Sequence, residues 1–281
     1  MITLEQLNKV AGNRRAQGAR QELVRAIAEW APRIGLDAPH RVALFLANVM
    51  HEAGGGRYLK ELWGPTKAQR GYEGREDLGN TQTGDGKRFR GHGWIQTTGR
   101  ANHRAVTKWA RERFPNAPDF EKNPEKLAEP QWATLSALWY WSERVPARFI
   151  ETGNHEMVRR RINGGLNGYR EVLEYFDRAA MVILGFDPKN PTSIKEFQRS
   201  ARISDDGVLG PMTRKALFRS LYALNGTGKT AEPKAPVVDH VRPVSQPDAP
   251  EEAKPVPTPR KSALAAIFDA IFRLMTRKNG Q

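Results

Sequence analysis

Cysteine is absent from the 281 residues, which excludes disulfides, thiolate metal sites and a cysteine nucleophile. That absence decides neither for a reducing nor for an oxidising compartment. No apolar run approaches the roughly 18 residues of a membrane-spanning helix. The opening stretch MITLEQLNKVAGNRR carries acidic and polar groups where a secretory signal needs an apolar core. The chain therefore reads as made in the cytoplasm without a signal peptide. Acidic residues are in deficit, 31 Asp+Glu against 45 Lys+Arg, for a net charge of +14. A surplus of this size attracts a polyanion: nucleic acid, anionic lipid, or a bacterial wall with its acidic sugars. The 39% hydrophobic and 9% aromatic content supports a buried core and excludes a fully disordered chain.

Hydrophobic spacing predicts a mainly α protein in four parts. Residues 1–187 form one helical domain. In it Leu23, Val24, Ile27 and Trp30 mark one helix face. After Pro39, the residues Val42, Leu44, Phe45, Leu46, Val49 and Met50 leave almost no polar side, so this helix is central and buried. It stops at Gly54-Gly55-Gly56. Further helices are expected over 131–143, where Trp132, Trp139 and Trp141 have core spacing, and over 172–184. Residues 64–102, rich in Gly, Asn, Asp and Thr, read as loops with room for a short hairpin. A small helical unit follows over 190–226, two helices around the turn Asp205 to Pro211. A Pro-rich linker occupies 227–261. The tail, 262–281, carries Leu264, Ile267, Phe268, Ile271 and Leu274 at helical spacing among basic residues.

His51-Glu52 stands at the end of the central helix, just before the glycines. A carboxyl beside an apolar core is poorly solvated, and the negative end of a helix dipole disfavours its charge. Both effects suit a general acid working near neutral pH. A zinc-protease reading fails because the second histidine of that motif belongs where Gly55 stands. His40, His92, His103, His155 and His240 show no ligand spacing either. No metal and no cofactor are expected. Glycoside hydrolysis needs a second carboxylate, and Glu61 lies past the glycine break where it can face Glu52 across a cleft. Glu73 and Glu76 compete for that role.

The motifs His51-Glu52-Ala53-Gly54-Gly55, Glu61-Leu62-Trp63-Gly64-Pro65-Thr66 and Tyr72-Glu73-Gly74-Arg75 resemble glycoside hydrolase family 19. So do Asp77-Leu78-Gly79-Asn80, the run from Arg90-Gly91-His92-Gly93-Trp94-Ile95-Gln96 to Asn102, and Ile162-Asn163-Gly164-Gly165. The likeness covers about residues 1–187 and is closer to the bacteriophage endolysin branch than to plant chitinases. It implies a lysozyme-like helical catalytic domain with a loop-rich cleft that cuts β-1,4 bonds of bacterial peptidoglycan with inversion. Glu52 would be the general acid, Glu61 the general base, and Thr98 a catalytic partner holding water. Gln96, Asn102 and Asn163 would bind substrate, with Tyr72, Trp63 or Trp94 offering rings to a pyranose face. The pattern departs at His92 and His103, where the family usually has arginine and tyrosine. The arginine expected after Asn163 is also out of register, with Arg170 nearest.

Ile194-Lys195-Glu196-Phe197-Gln198 and Asp206-Gly207-Val208-Leu209-Gly210-Pro211 resemble the peptidoglycan-binding unit of wall hydrolases. A helix-turn-helix DNA reader is the rival there, disfavoured because no base-reading polar cluster follows the turn. Residues 1–187 carry 29 Lys+Arg and 22 Asp+Glu, and the remaining 94 residues carry the same surplus of +7 on half the length. The expected partners are therefore peptidoglycan and, through the tail, an anionic outer-membrane surface, with no nucleic acid and a monomeric chain. The working place is the cell wall after release. The rival readings are a chitinase acting on N-acetylglucosamine polymers, a lytic transglycosylase, and a non-catalytic wall-binding or virion protein.

Overall fold

A computed structural model describes residues 2–225. The helices are α1 (Leu4–Ala11), α2 (Gln17–Glu29), α3 (Pro39–Glu52), the single turns α4 (Lys67–Arg70) and α5 (Asp85–Arg88), and α6 (Arg100–Arg113). They continue with α7 (Pro130–Arg144), α8 (Ala147–Glu151), α9 (His155–Asn163), α10 (Tyr169–Ile183), α11 (Pro191–Ser200) and α12 (Pro211–Asn225). Among the described residues there is no strand, and no helix is long and apolar enough to cross a membrane. The hairpin expected in the 64–102 region is reduced to two isolated antiparallel bridges, Lys60 with His92 and His92 with Thr97.

Helix α3 is the axis of the fold. Pro39 opens it with a pre-set φ, and every residue from Ala43 to Glu52 is buried. An apolar surface all round needs cover on every side, and α10, α12, α8 and α9 supply it. Helix α10 gives Val172, Phe176, Ala179 and Ala180 to the same core. Burying each large side chain of this set contributes about 1.5–3 kcal/mol. Trp139 and Trp141 of α7 are buried, as their spacing foretold, and Trp141 stands edge-on to Phe45 at 5.5 Å.

The glycines end α3 by geometry. Gly54, Gly55 and Gly56 all have positive φ. At Gly56 (φ +92) an added Cβ would lie 2.8 Å from the Trp94 ring, so the turn can be this tight only without a side chain. Arg20 of α2, fully buried, locks the turn by donating from Nε to the Gly55 carbonyl at 2.9 Å. Its Nη1 reaches Asn8 and the Asn13 carbonyl at 2.8 and 2.6 Å. A buried guanidinium is tolerated because its donors are satisfied.

The boundary expected near residue 187 does not coincide with a break in packing. Helices α11 and α12 belong to the same compact unit as the rest of the described chain, and α12 packs on α3 and α10. Its Leu217 and Leu221 are fully buried. Phe218 and Tyr222 lie 5.7 and 4.8 Å from the His40 ring. Arg214 makes a two-pronged pair with buried Asp177 of α10, at 2.9 and 2.5 Å. The turn between the helices is organised by buried Gln198, which donates to Asp206, Val208 and Thr213 and accepts from the Gly207 N–H. The linker expected over 227–261 and the tail over 262–281 lie outside the described residues.

Replacing one member of a buried ion pair strands the other charge. Arg214→Met is expected to lower the unfolding free energy by roughly 3–5 kcal/mol, read by urea denaturation. A loss below about 1 kcal/mol, the range of surface pairs, would show that α12 is not part of the cooperative core.

Candidate active site

Two buried carboxylates stand on either side of the glycine turn. Glu52 is the last residue of α3 and is 8% exposed. The sequence reading placed it beside an apolar core without a partner. The structure corrects this: Oε1 of Glu52 accepts from Nη1 of Arg159, a residue only 1% exposed. Arg159 comes from α9, 107 positions along the chain. It is itself aimed by two donations to the Asn167 carbonyl, at 3.0 Å from Nε and 2.6 Å from Nη2. A buried carboxylate needs compensation for its lost hydration, and for Glu52 a buried cation supplies it.

The neighbouring His51 is held as well. Its Nδ1 lies 2.9 Å from Oε2 of Glu171, in the first turn of α10. Hydrogen bonding to His51 pulls the Glu171 carboxyl below its ordinary range. The contact ties the end of α3 to the start of α10. Tyr140 of α7 also lies within electrostatic reach of Glu52.

Glu61 is 7% exposed and sits in a cradle of neutral donors. Oε1 accepts from Nε2 of Gln69 at 3.0 Å and from the Tyr72 hydroxyl at 3.3 Å. Oε2 accepts from the Gly91 N–H at 3.0 Å, while the Glu61 N–H donates to the Gly91 carbonyl at 2.8 Å. A carboxylate offers about four lone-pair sites, so Oε2 keeps one available. Burial, with the Glu61 charge adding to it, pushes the Tyr72 hydroxyl well above its usual range. Tyr72 therefore serves Glu61 as a donor. The competitors are occupied elsewhere or exposed: Glu73 caps the Gly84 and Gly86 N–H groups at 2.6 and 2.7 Å, and Glu76 faces solvent.

The loop between residues 91 and 102 joins Glu61 to the amide-bearing residues. Gln96 has φ 53, a left-handed conformation that costs a non-glycine residue energy. It is held there by Nε2 donations to the Tyr58 and Gly93 carbonyls at 2.7 and 3.0 Å. Its Oε1 lies 2.8 Å from where a Cβ on residue 91 would stand, so Gly91 lets the amide approach the clamp on Glu61. The Thr98 hydroxyl donates to the Gln96 carbonyl at 3.0 Å, and Asn102 donates to the Thr98 carbonyl at 2.7 Å. The Tyr58 N–H in turn reaches the Ala53 carbonyl at 3.1 Å. One backbone bond and one from the Gln96 side chain thus connect the residue after Glu52 to the Gln96 loop.

Comparisons with known proteins identify the family. No family model matches the chain. A protein of Haemophilus influenzae described as a glycosyl hydrolase family 19 domain-containing protein is 31% identical over 205 residues, which is 63% of this chain and 96% of that protein. The chain belongs to glycoside hydrolase family 19. The endochitinase CHI of Arabidopsis thaliana is 30% identical over 126 residues, 44% of this chain and 43% of its own. Among solved structures, chitinase C from Streptomyces griseus matches with a TM-score of 0.46 and 23% identity, over 65% of this chain and 92% of that one.

In this family 19 hydrolase Tyr72 bonds to Glu61, and Gln96, Thr98 and Asn102 form a second bonded set on the loop that begins at Gly91; Trp63 stands 6.4 Å from the Tyr72 ring. Trp63 is half-buried beside Leu62, which is 68% exposed. The ring of Tyr72 is buried, and Trp94 is fully buried against Gly56, so Trp94 is a packing residue with no face for a sugar. Asn163 lies one helical turn after Arg159 on α9, and among the described residues its Oδ1 is buried without a partner. Arg170, the arginine nearest the expected register, is 93% exposed and pairs with Glu174. Sequence reasoning missed Arg159, Gln69 and Glu171. The available signal for Arg159 was its i, i+4 spacing to Asn163, which places both on one helix face.

Arg159→Gln is expected to cost roughly 3–5 kcal/mol of stability by leaving the Glu52 charge unpaired. The double variant Glu52→Gln/Arg159→Gln should recover more than half of that loss in urea denaturation. Strictly additive losses would show that the two groups are not coupled.

Proposed function

We propose that this hydrolase is an endolysin that cleaves β-1,4 glycosidic bonds of bacterial peptidoglycan by single displacement, acting at the cell wall to lyse a host. Glu52 protonates the departing glycosidic oxygen. Glu52 acts in the form that has taken a proton from solvent, and Arg159 stabilises the carboxylate left once that proton has gone. Oε2 of Glu61, the oxygen with a lone pair to spare, takes a proton from water. The Thr98 hydroxyl, its own proton given to the Gln96 carbonyl, accepts the water's second hydrogen. This fixes the water for attack on the anomeric carbon from the face opposite the leaving group. Asn163 Oδ1, Asn102 and Gln96 suit the hydroxyls and N-acetyl groups of amino sugars, and Trp63 offers a ring face to a pyranose.

The observation that carries the substrate reading is the charge of +14, denser beyond residue 187. A wall glycan with its peptide carboxylates is a polyanion that such a surface concentrates; chitin is neutral. The wall-binding likeness around Asp206-Gly207 and the basic amphipathic tail support the same substrate. The second reading, a chitinase, is favoured by the likeness to the Arabidopsis endochitinase over 126 residues.

Digestion of purified peptidoglycan followed by mass spectrometry separates these readings. Fragments with new reducing ends are expected. Anhydro ends would indicate a transglycosylase, and an inert wall beside a digested chitin oligomer would indicate a chitinase. Glu52→Gln and Glu61→Gln should each lose roughly 10²–10⁴-fold in turnover, whereas Glu73→Gln should lose far less. A dead Glu73→Gln with an active Glu61→Gln would overturn the choice of base.

A further inference from the structure

The two positions at which this chain departs from its family's pattern meet each other. His92 and His103 are both fully buried, and Nδ1 of His92 lies 3.0 Å from Nε2 of His103. Their rings cross at 84° with centroids 5.2 Å apart. Nδ1 of His103 lies 2.8 Å from the Gly99 carbonyl. A carbonyl only accepts, so that nitrogen carries the proton and Nε2 of a neutral His103 is a bare acceptor. His92 must then donate from Nδ1. Its Nε2 is left without a hydrogen-bond partner, 3.8 Å from Oε1 of Glu125. The result is a one-way relay, His92 to His103 to Gly99, in which each ring is the Nδ1–H tautomer.

The relay is anchored where the catalytic loop is anchored. His92 exchanges both backbone bonds with Thr97, at 3.0 and 2.8 Å, and bridges to Lys60. It follows Gly91, whose N–H clamps Oε2 of Glu61, and the loop it closes carries Gln96. At the other end, Gly99 and His103 form the start of α6, where Asn102 holds the Thr98 carbonyl. A side-chain link from His92 to His103 therefore fastens the clamp on the base to the helix that carries Thr98 at its mouth.

We propose that His92 and His103 are a positioning pair for the catalytic base, a neutral two-ring strut that holds the Gly91 clamp and the Gln96–Thr98 loop in register with Glu61. This rests on the reading of Glu61 as the base. The strut in this tautomer pair works while uncharged, because a proton on Nε2 of His103 would meet the Nδ1–H of His92 unless His92 moved its own proton to Nε2. Its surroundings favour the neutral form. Burial draws His92 far below its ordinary range and His103 down to about 4. Besides His103, the groups facing His92 are Glu125, Arg90 and Lys60. Glu125 is already paired with the two cations at 2.7 and 3.0 Å. From pH 6.5, the ordinary histidine value, down to about 4, the unfolded chain takes up protons that the fold refuses. The strut's contribution to stability is therefore full above that window and is lost as pH falls through it.

Two measurements on the full chain test the pair. In ¹⁵N-histidine NMR, His92 and His103 should both appear as Nδ1–H tautomers and should not titrate between about pH 8 and about pH 5. Finding either as the Nε2–H form, or titrating normally, overturns the relay. In kinetics on glycan strands released from peptidoglycan by an amidase, His103→Phe should lower kcat by about tenfold or more with KM changed less than about twofold. His103→Gln, which can both donate to Gly99 and accept from His92, should restore kcat to within about threefold of wild type. Equal loss in both variants, or wild-type kcat in His103→Phe, overturns the proposal. Glu61→Gln is run beside them. If it stays active, the base assignment has failed; if it is dead while His103→Phe is unaffected, only the strut has failed. The tautomer measurement needs no variant and decides even where His103→Phe does not fold.

Discussion

Glu52 ends a helix that is buried on every side, and its carboxylate is compensated there by the buried cation of Arg159. Much of the fold around it follows from bringing Arg159 to that point. Helix α9 starts at the Asn154 cap, whose side chain accepts the Met157 N–H at 3.0 Å. It ends at Gly164, and the following loop turns back so that the Asn167 carbonyl can take two donors from the same guanidinium. Helix α10 is then bound to α3 through Glu171 and His51, and α12 to α10 through Arg214 and Asp177. The segment likened to a wall-binding unit thus contributes to the wall that buries α3, whatever else it does.

The second carboxylate obeys a different rule. Among the described residues Glu61 meets no cation; its donors are an amide, a phenol and a backbone N–H. A group meant to accept a proton from water is served by neutral donors, which orient it without competing for that proton as a neighbouring charge would. The contrast leaves Glu61 free of a competing charge, and it requires Glu52 to hold its proton beside Arg159 before it can act as the acid. Separate environments are how one cleft assigns opposite tasks to two identical side chains.

The parts legible in the sequence were those determined locally. The apolar run after Pro39, the triple glycine and the Asp-Gly turn each carry their conformational reason within a few residues, and each stands where expected. The motifs around Glu61 and Gln96 were equally readable, because the donors that hold Glu61 lie within 30 positions of it. Arg159 was not readable, since its pairing spans 107 positions and the family's register pointed past Asn163 to Arg170. The packing that continues across residue 187 was hidden for a related reason. The spacing of Leu217 and Leu221 announces a buried face but not which surface buries it. The contact between His92 and His103 was likewise invisible: the two substitutions read as separate departures until the loop brought their rings together.

The central claim is that two carboxylates act directly on glycosidic oxygen and water, with no covalent intermediate. Proton NMR of the digest in its first minutes, before the new reducing end mutarotates, tests it most directly. Hydrolysis of a β-1,4 bond by Glu52 and Glu61 as acid and base must release the α-anomer first. Initial release of the β-anomer would mean that one carboxylate attacks the sugar itself, and the account of Glu61 as the base for water would be wrong.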